Sequence, residues 1–195
     1  MTLNVKPLVL EGTVVRLEPL RLDHAQGLYN RGRVQADWVY LPRGCFVDMA
    51  DTRQWIEEAL AAPGHLPFAI MDVAKGIAVG STRYLTIRPE HRSLEIGWTW
   101  LGQEWQRTPA NTEAKLLLLT HAFETLGCVR VEFKTDARNE RSQRALLRIG
   151  AKREGVMRNH MIVQNNFLRD SVYFSVIDAE WPKVKAKLQT LANRA

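Results

Sequence analysis

Residues Leu94–Gly127 read LEIGWTWLGQEWQRTPANTEAKLLLLTHAFETLG. Leu94, Ile96, Trp98 and Trp100 alternate with Glu95, Gly97 and Thr99, the period-two pattern of a half-buried strand. From Thr112 to Leu126 the period changes. Leu116, Leu119, Phe123 and Leu126 recur at helical spacing. Asn111 or Thr112 can cap that helix, Glu113 suits the positive end of its dipole, and Gly127 stops it. Between strand and helix lies Gln106-Arg107-Thr108-Pro109-Ala110. A loop feeding a helix N-terminus presents free N–H groups at a positive dipole end, a seat for phosphate. The stretch therefore pairs an anion seat with a strand bearing a lone carboxylate, Glu95.

Working outward, 195 residues suit one domain spanning 1–195, large enough for a real core. The net charge is +6 and the pI about 9.6. Both favour anionic ligands or partners such as a nucleotide cofactor, RNA, a ribosome or an acidic surface. A basic patch interleaved with aromatics is missing, which argues against nucleic acid. Cys45 and Cys128 lie far apart without metal-ligand spacing and read as reduced thiols of a cytoplasmic protein. The five histidines show no metal spacing either. The sequence carries no apolar run of signal-peptide or membrane-spanning length.

Upstream, Thr13–Pro19 reads as a strand and Leu22–Tyr29 as a helix with Asp23 near its cap. Asp37–Phe46 is an aromatic-rich loop. Its Trp38 and Tyr40 are candidates for a substrate-pocket wall, or for pinning the loop down. Asp51–Ala62 is a helix, capped by Asp51 or Thr52, with Trp55, Ile56, Ala59 and Leu60 inward. Pro67–Val73, Ile77–Ile87 and the Leu94 strand follow as antiparallel neighbours. Downstream come a strand at Val129–Asp136, a helix at Asn139–Ile149 capped by Asn139, strands at Lys152–Val163 and Asp170–Val176, and a last helix at Ala179–Leu191. Mixed antiparallel and parallel strands with helical crossovers make an α+β protein built on a mixed sheet.

This order resembles the GNAT superfamily of acyl-CoA-dependent N-acyltransferases. EIGWTWLGQEWQ, the Asn-Glu-Arg-Ser at Asn139–Ser142 and the Ile149-Gly150-Ala151 after it are similar to the RimJ/RimL branch, the ribosomal-protein N-terminal acetyltransferases. The resemblance runs from Thr13 to Lys187. It implies a twisted sheet of about seven strands with a splay between the fourth and fifth. It also implies acetyl-CoA as cofactor, no metal, an amine acceptor such as a protein N-terminus, and a homodimer. On this resemblance the backbone of Trp98, Thr99, Trp100 and Leu101 pairs with the pantetheine arm. Gln106, Arg107, Thr108, Ala110, Asn111 and Thr112 wrap the pyrophosphate. Asn139 meets the arm and Ser142 the thiol end or the cofactor phosphates, where the residues by themselves also read as a helix cap and a first-turn serine. Apart from the resemblance, Tyr173 is a candidate for the acceptor site or a core aromatic.

The loop departs from the family pattern Gln/Arg-x-x-Gly-x-Gly/Ala, and from the Gln-Gly-Thr-Gly-Val-Asn of similar sequences. Here both glycines are replaced, by Arg107 and Pro109. Proline removes an N–H donor, and an arginine resists positive φ. One lost charged hydrogen bond costs roughly 1.5–3 kcal/mol, about ten to a few hundredfold in affinity. A degenerate member that binds CoA weakly and acts as a binding module is the alternative reading. Acetyl transfer needs a base for the amine and donors for the developing oxyanion and thiolate. Glu95 is the candidate base, its pKa raised if it is partly buried against Trp98 or Trp100; the alternative is a solvent-facing strand carboxylate. The family's tyrosine acid is missing from the Asn139 helix, which leaves Ser142 as the hydroxyl in its place.

Overall fold

The computed structural model describes residues 3–192, so both ends of the 1–195 domain assignment lie outside the described residues. Seven strands are present: β1 (Val15–Pro19), β2 (Leu66–Asp72), β3 (Ile77–Arg88), β4 (Ser93–Leu101), β5 (Arg130–Asp136), β6 (Lys152–Val163) and β7 (Phe167–Ile177). They form one mixed sheet in the order β1-β2-β3-β4-β5-β7-β6. The β4–β5 pair is parallel, and every other neighbouring pair is antiparallel. The helices are α1 (Ala25–Arg31), α2 (Met49–Ala61), α3 (Ala110–Thr120), α4 (Glu140–Ile149) and α5 (Trp181–Ala192).

Two buried clusters sandwich the sheet. One gathers Leu118 and Leu119 of α3, Leu146 and Ile149 of α4 and Val184 and Leu188 of α5 against Leu94, Ile96, Val131 and Phe133. The other gathers Leu28 of α1 and Trp55 and Ile56 of α2 with Trp38, Phe46 and Trp100. Helix α2 starts earlier than expected. Asp48, not Asp51 or Thr52, is its cap and accepts from the Asp51 N–H at 2.8 Å. Its inward stripe is Thr52, Trp55, Ile56 and Ala59, the i, i+3, i+4, i+7 set, and Leu60 at the stripe's edge stays 49 % exposed. Asn139 caps α4 through the Ser142 N–H at 3.0 Å. Gly127 (φ 68°) and Gly150 (φ 104°) close the helical segments before them in the left-handed region that glycine enters freely.

The alternation read for β4 holds only halfway. Between Gly97 and Trp100, β4 has one residue more than its partner segment Ser81–Arg83, and Trp98 takes φ 51°. This is a β-bulge, and it reverses which face later side chains occupy. Leu94 and Ile96 join the α3 face, and so does Leu101, whereas Trp100 crosses to the α1/α2 face. Trp98 and Trp100 therefore do not share the face of Leu94 and Ile96.

Parallel pairing of β4 with β5 covers only Ser93–Arg130, Leu94–Val131 and Glu95–Glu132. Beyond Glu95 the two strands part. That divergence opens the sheet's main cleft.

Candidate active site

The cleft has a volume of about 360 Å³, within the range of small-molecule sites. Its walls are the second half of β4, the loop before α3, the first turns of α4 and the loop around Tyr40.

Glu95 sits where the strands separate and is 2 % exposed. Lys134 Nζ lies 3.1 Å from its Oε2, and Thr86 Oγ1 donates to the same oxygen at 3.3 Å. Burial raises the carboxyl's pKa, outweighing both of those contacts. Gly97 makes room for it: a Cβ there would stand 3.0 Å from Glu95 Oε1. The carboxylate thus faces the cleft in a poorly solvated position.

At the other end, the loop before α3 keeps the left-handed turn that glycine would supply. Arg107 takes φ 62°, against the expectation that an arginine would resist it. Pro109 has φ −61°, its natural value, so neither replacement unmakes the loop. Among the described residues no protein group accepts from the N–H of Arg107 or Thr108. The Gln106 side chain is already engaged. It donates to Asp37 Oδ1 (2.8 Å) and the Leu101 carbonyl (3.0 Å) and accepts from Arg141 Nη1 (2.8 Å). It ties β4, α4 and the Tyr40 loop together. Arg107, Arg141 and Arg148 all line this end of the cleft, which gives it a strongly positive rim.

Of the residues singled out from sequence, Glu95, Trp98, Thr99, Trp100, Leu101 and Tyr40 line the cleft. So do Gln106, Arg107, Thr108, Asn111, Asn139 and Ser142. Four others do not. Trp38 is 0 % exposed and packs against Phe46 and Trp100 with ring centroids 4.9 and 5.0 Å away, so it pins the loop rather than walling the pocket. Tyr173 turns its hydroxyl to His160 Nε2, 3.3 Å away on β6. Ala110 is buried in the core, and the Thr112 hydroxyl accepts from Arg148 at 3.3 Å.

Several cleft residues were missed, among them Lys134 beside Glu95, Lys115 and Arg169. Lys115 of α3 is 6 % exposed, and its Nζ donates to Thr99 Oγ1 at 2.7 Å, beside the bulge. Burial pushes its amine down to about 7. The signal was a lysine interrupting the apolar run of the α3 stripe. Arg169 of β7 is 5 % exposed and also lines the cleft. Starting the last strand at Asp170 hid it.

Among the described residues no cluster of histidine, cysteine, aspartate or glutamate is placed to hold a metal. No helix among them is long and apolar enough to cross a membrane. Residues 15–152 match the model of the acetyltransferase (GNAT) domain. The chain belongs to the GNAT family. Among GNAT relatives, YdaF of Bacillus subtilis (strain 168), named as a candidate ribosomal N-acetyltransferase, is 36 % identical over 91 residues. That match covers 47 % of this chain and 49 % of YdaF, so this chain spans about half the length of that relative. It agrees with the RimJ/RimL-like branch. The crystal structure of a GCN5-related N-acetyltransferase from Brucella melitensis superposes with a TM-score of 0.92 at 33 % identity, over 96 % of this chain and 86 % of that one. The ribosomal-protein-S5-alanine acetyltransferase of Vibrio fischeri shares the fold, with a TM-score of 0.71 at 19 % identity over 89 % and 98 % of the two chains.

Proposed function

We propose that the cleft binds acetyl-CoA and that the protein transfers its acetyl group to a primary amine, of a small molecule or a protein N-terminus. The observation that carries this reading is the parting of β4 from β5 just past Glu95. It leaves the β4 edge unpaired beside a buried carboxylate. An extended amide-bearing ligand can complete the ladder there, since unpaired strand edges seek hydrogen-bond partners. The N–H groups of Arg107 and Thr108, the α3 N-terminus and the arginine rim suit a pyrophosphate. Asn139 and Ser142 reach the cleft from the start of α4. Acetyl-CoA supplies an activated acyl group as a thioester.

The protein's own part is to position and to move a proton. Glu95 takes the proton of the acceptor ammonium, directly or through a water. Its raised pKa brings it toward the working range of a general base. Lys134 holds the carboxylate in place. Ser142 orients the sulfur end. The Trp98 bulge turns backbone N–H groups out of the β3 ladder, where they can donate to a developing oxyanion. Arg107 at φ 62° favours this reading over the degenerate binding module, because the loop retains its shape without glycine.

Calorimetric titration with acetyl-CoA tests the proposal, with micromolar binding expected. Absence of binding at millimolar cofactor would overturn it in favour of the binding module. Glu95→Gln should lower kcat by about a hundredfold or more and leave acetyl-CoA affinity within about twofold. Full turnover at every pH would remove Glu95 from the mechanism.

A further inference from the structure

We infer that the acceptor amine carries a carboxylate close by, and that Arg169 receives it. The inference rests on the acetyltransferase reading above and specifies its substrate class.

Among the described residues, the charged groups around the acceptor end of the cleft are all paired but one. Glu95 is paired with Lys134 at 3.1 Å. Asp136 is 1 % exposed and closed off by Arg138, whose Nη2 and Nε donate to its two oxygens at 2.6 and 2.9 Å. Arg169 is left over. Among the described residues no carboxylate lies within ion-pair distance of it, although it is 5 % exposed. Among the described residues its guanidinium makes one hydrogen bond, a long donation from Nη1 to the Tyr40 carbonyl at 3.4 Å. Its buried Nε has no acceptor.

A guanidinium keeps its charge in proteins, and a buried unpaired charge is costly. Burial does press on this one, while the charges of Asp136 and Glu95 act the other way. Such a cost is borne where a ligand completes the pair, and a planar guanidinium matches a carboxylate in two parallel hydrogen bonds. The other cleft arginines stand at the α3 and α4 end, where phosphate is expected. Arg169 comes from β7 and lines the same cleft as Glu95, beside Tyr40, Leu41 and Met161. An amine at Glu95 with a carboxylate at Arg169 is the arrangement of an α-amino acid, or of an acidic residue at a peptide N-terminus. Polyamines and aminoglycosides, being polycations, would place further positive charge against Arg169.

The test uses the wild-type protein and acetyl-CoA. CoA release is followed with a thiol reagent for the common α-amino acids, each paired with its carboxamide, and for dipeptide amides beginning with aspartate or alanine. Preference for the free acids by about tenfold or more in kcat/KM supports capture of an α-carboxylate. The same preference for the aspartyl over the alanyl peptide supports capture of a side-chain carboxylate. Equal use of acids and amides, use of neutral or polycationic amines alone, or no transfer to any of them despite acetyl-CoA binding overturns the inference. Failure to bind acetyl-CoA would instead strike the transferase reading and the inference with it. Arg169→Gln should raise KM for the carboxylate-bearing acceptor about 10- to 100-fold and erase the acid-to-amide ratio. A purely structural role for Arg169 would lower both rates and leave that ratio unchanged.

Discussion

Replacing Lys115 with methionine should stabilise the protein at neutral pH and lose that advantage as pH rises. Lys115 is 6 % exposed, with burial alone pushing its amine from 10.5 down to about 7. Between those values the unfolded chain binds a proton that the folded chain does not. Stability therefore climbs with pH across that window, by 1.36 kcal/mol for each pH unit. The buried amine costs about 4 kcal/mol at pH 7, about 2 at pH 9, and almost nothing near 10.5. Methionine fills similar volume without charge but forfeits the 2.7 Å bond to Thr99, worth about 1 kcal/mol. Thr99 retains its contact with Thr82 Oγ1 at 2.8 Å. The net expectation is that Lys115→Met gains about 3 kcal/mol at pH 7, or about 6–12 °C in Tm. The two proteins should cross near pH 10. Differential scanning calorimetry of the ligand-free pair at a series of pH values reads this directly. A Tm difference that stays constant from neutral to alkaline pH would refute the claim that Lys115 is neutral in the fold.

Arg107→Gly should leave thermal stability equal or raise it by up to about 1 kcal/mol, because the native φ of 62° costs an arginine and not a glycine. It should also weaken acetyl-CoA binding about five- to tenfold and flatten its salt dependence. Tighter binding in calorimetry would mean that Arg107 meets no phosphate. Glu113 receives the N–H groups of Thr13, Val14 and Val15 at 2.6–2.9 Å. These bonds overcome the opposing effect of burial and hold its pKa below 4.5. Its contribution is thus present above pH 4.5 and is lost as the medium acidifies. Glu113→Gln should cost roughly 2–3 kcal/mol at pH 7, with the gap closing in acid. Urea titrations at two pH values would expose a pH-independent gap if the carboxylate charge plays no part.

The local chemistry of the chain reached far. The change from period two at Leu94–Ile96 to helical spacing after Thr112 located β4 and α3. Asn139, Gly127 and Gly150 marked helix ends that the fold keeps, because capping and positive φ are decided by a residue and its immediate neighbours. Glu95 stood out as the carboxylate beside a glycine on that strand. Other features required the assembled sheet. The bulge at Trp98 sends Trp100 to the opposite face, and no local period can register an extra residue that exists only relative to β3. Trp38 became core because Phe46 and Trp100 close around it. Lys115 and Arg169 lie far apart in sequence, each plain on its own. They became cleft residues only when β4 and β5 separated and left α3 and β7 facing the gap. Sequence alone determined the element order, the Asn139 cap and the family likeness, since these are set by short-range pattern, whereas α2 is capped by Asp48 and the N-cap of α3 is Pro109 rather than Asn111 or Thr112. Which charges are buried, which are paired, and that the Arg169 guanidinium stands in the cleft without a carboxylate partner among the described residues was decided by tertiary packing, because charge pairing depends on distances between segments that the chain brings together only on folding.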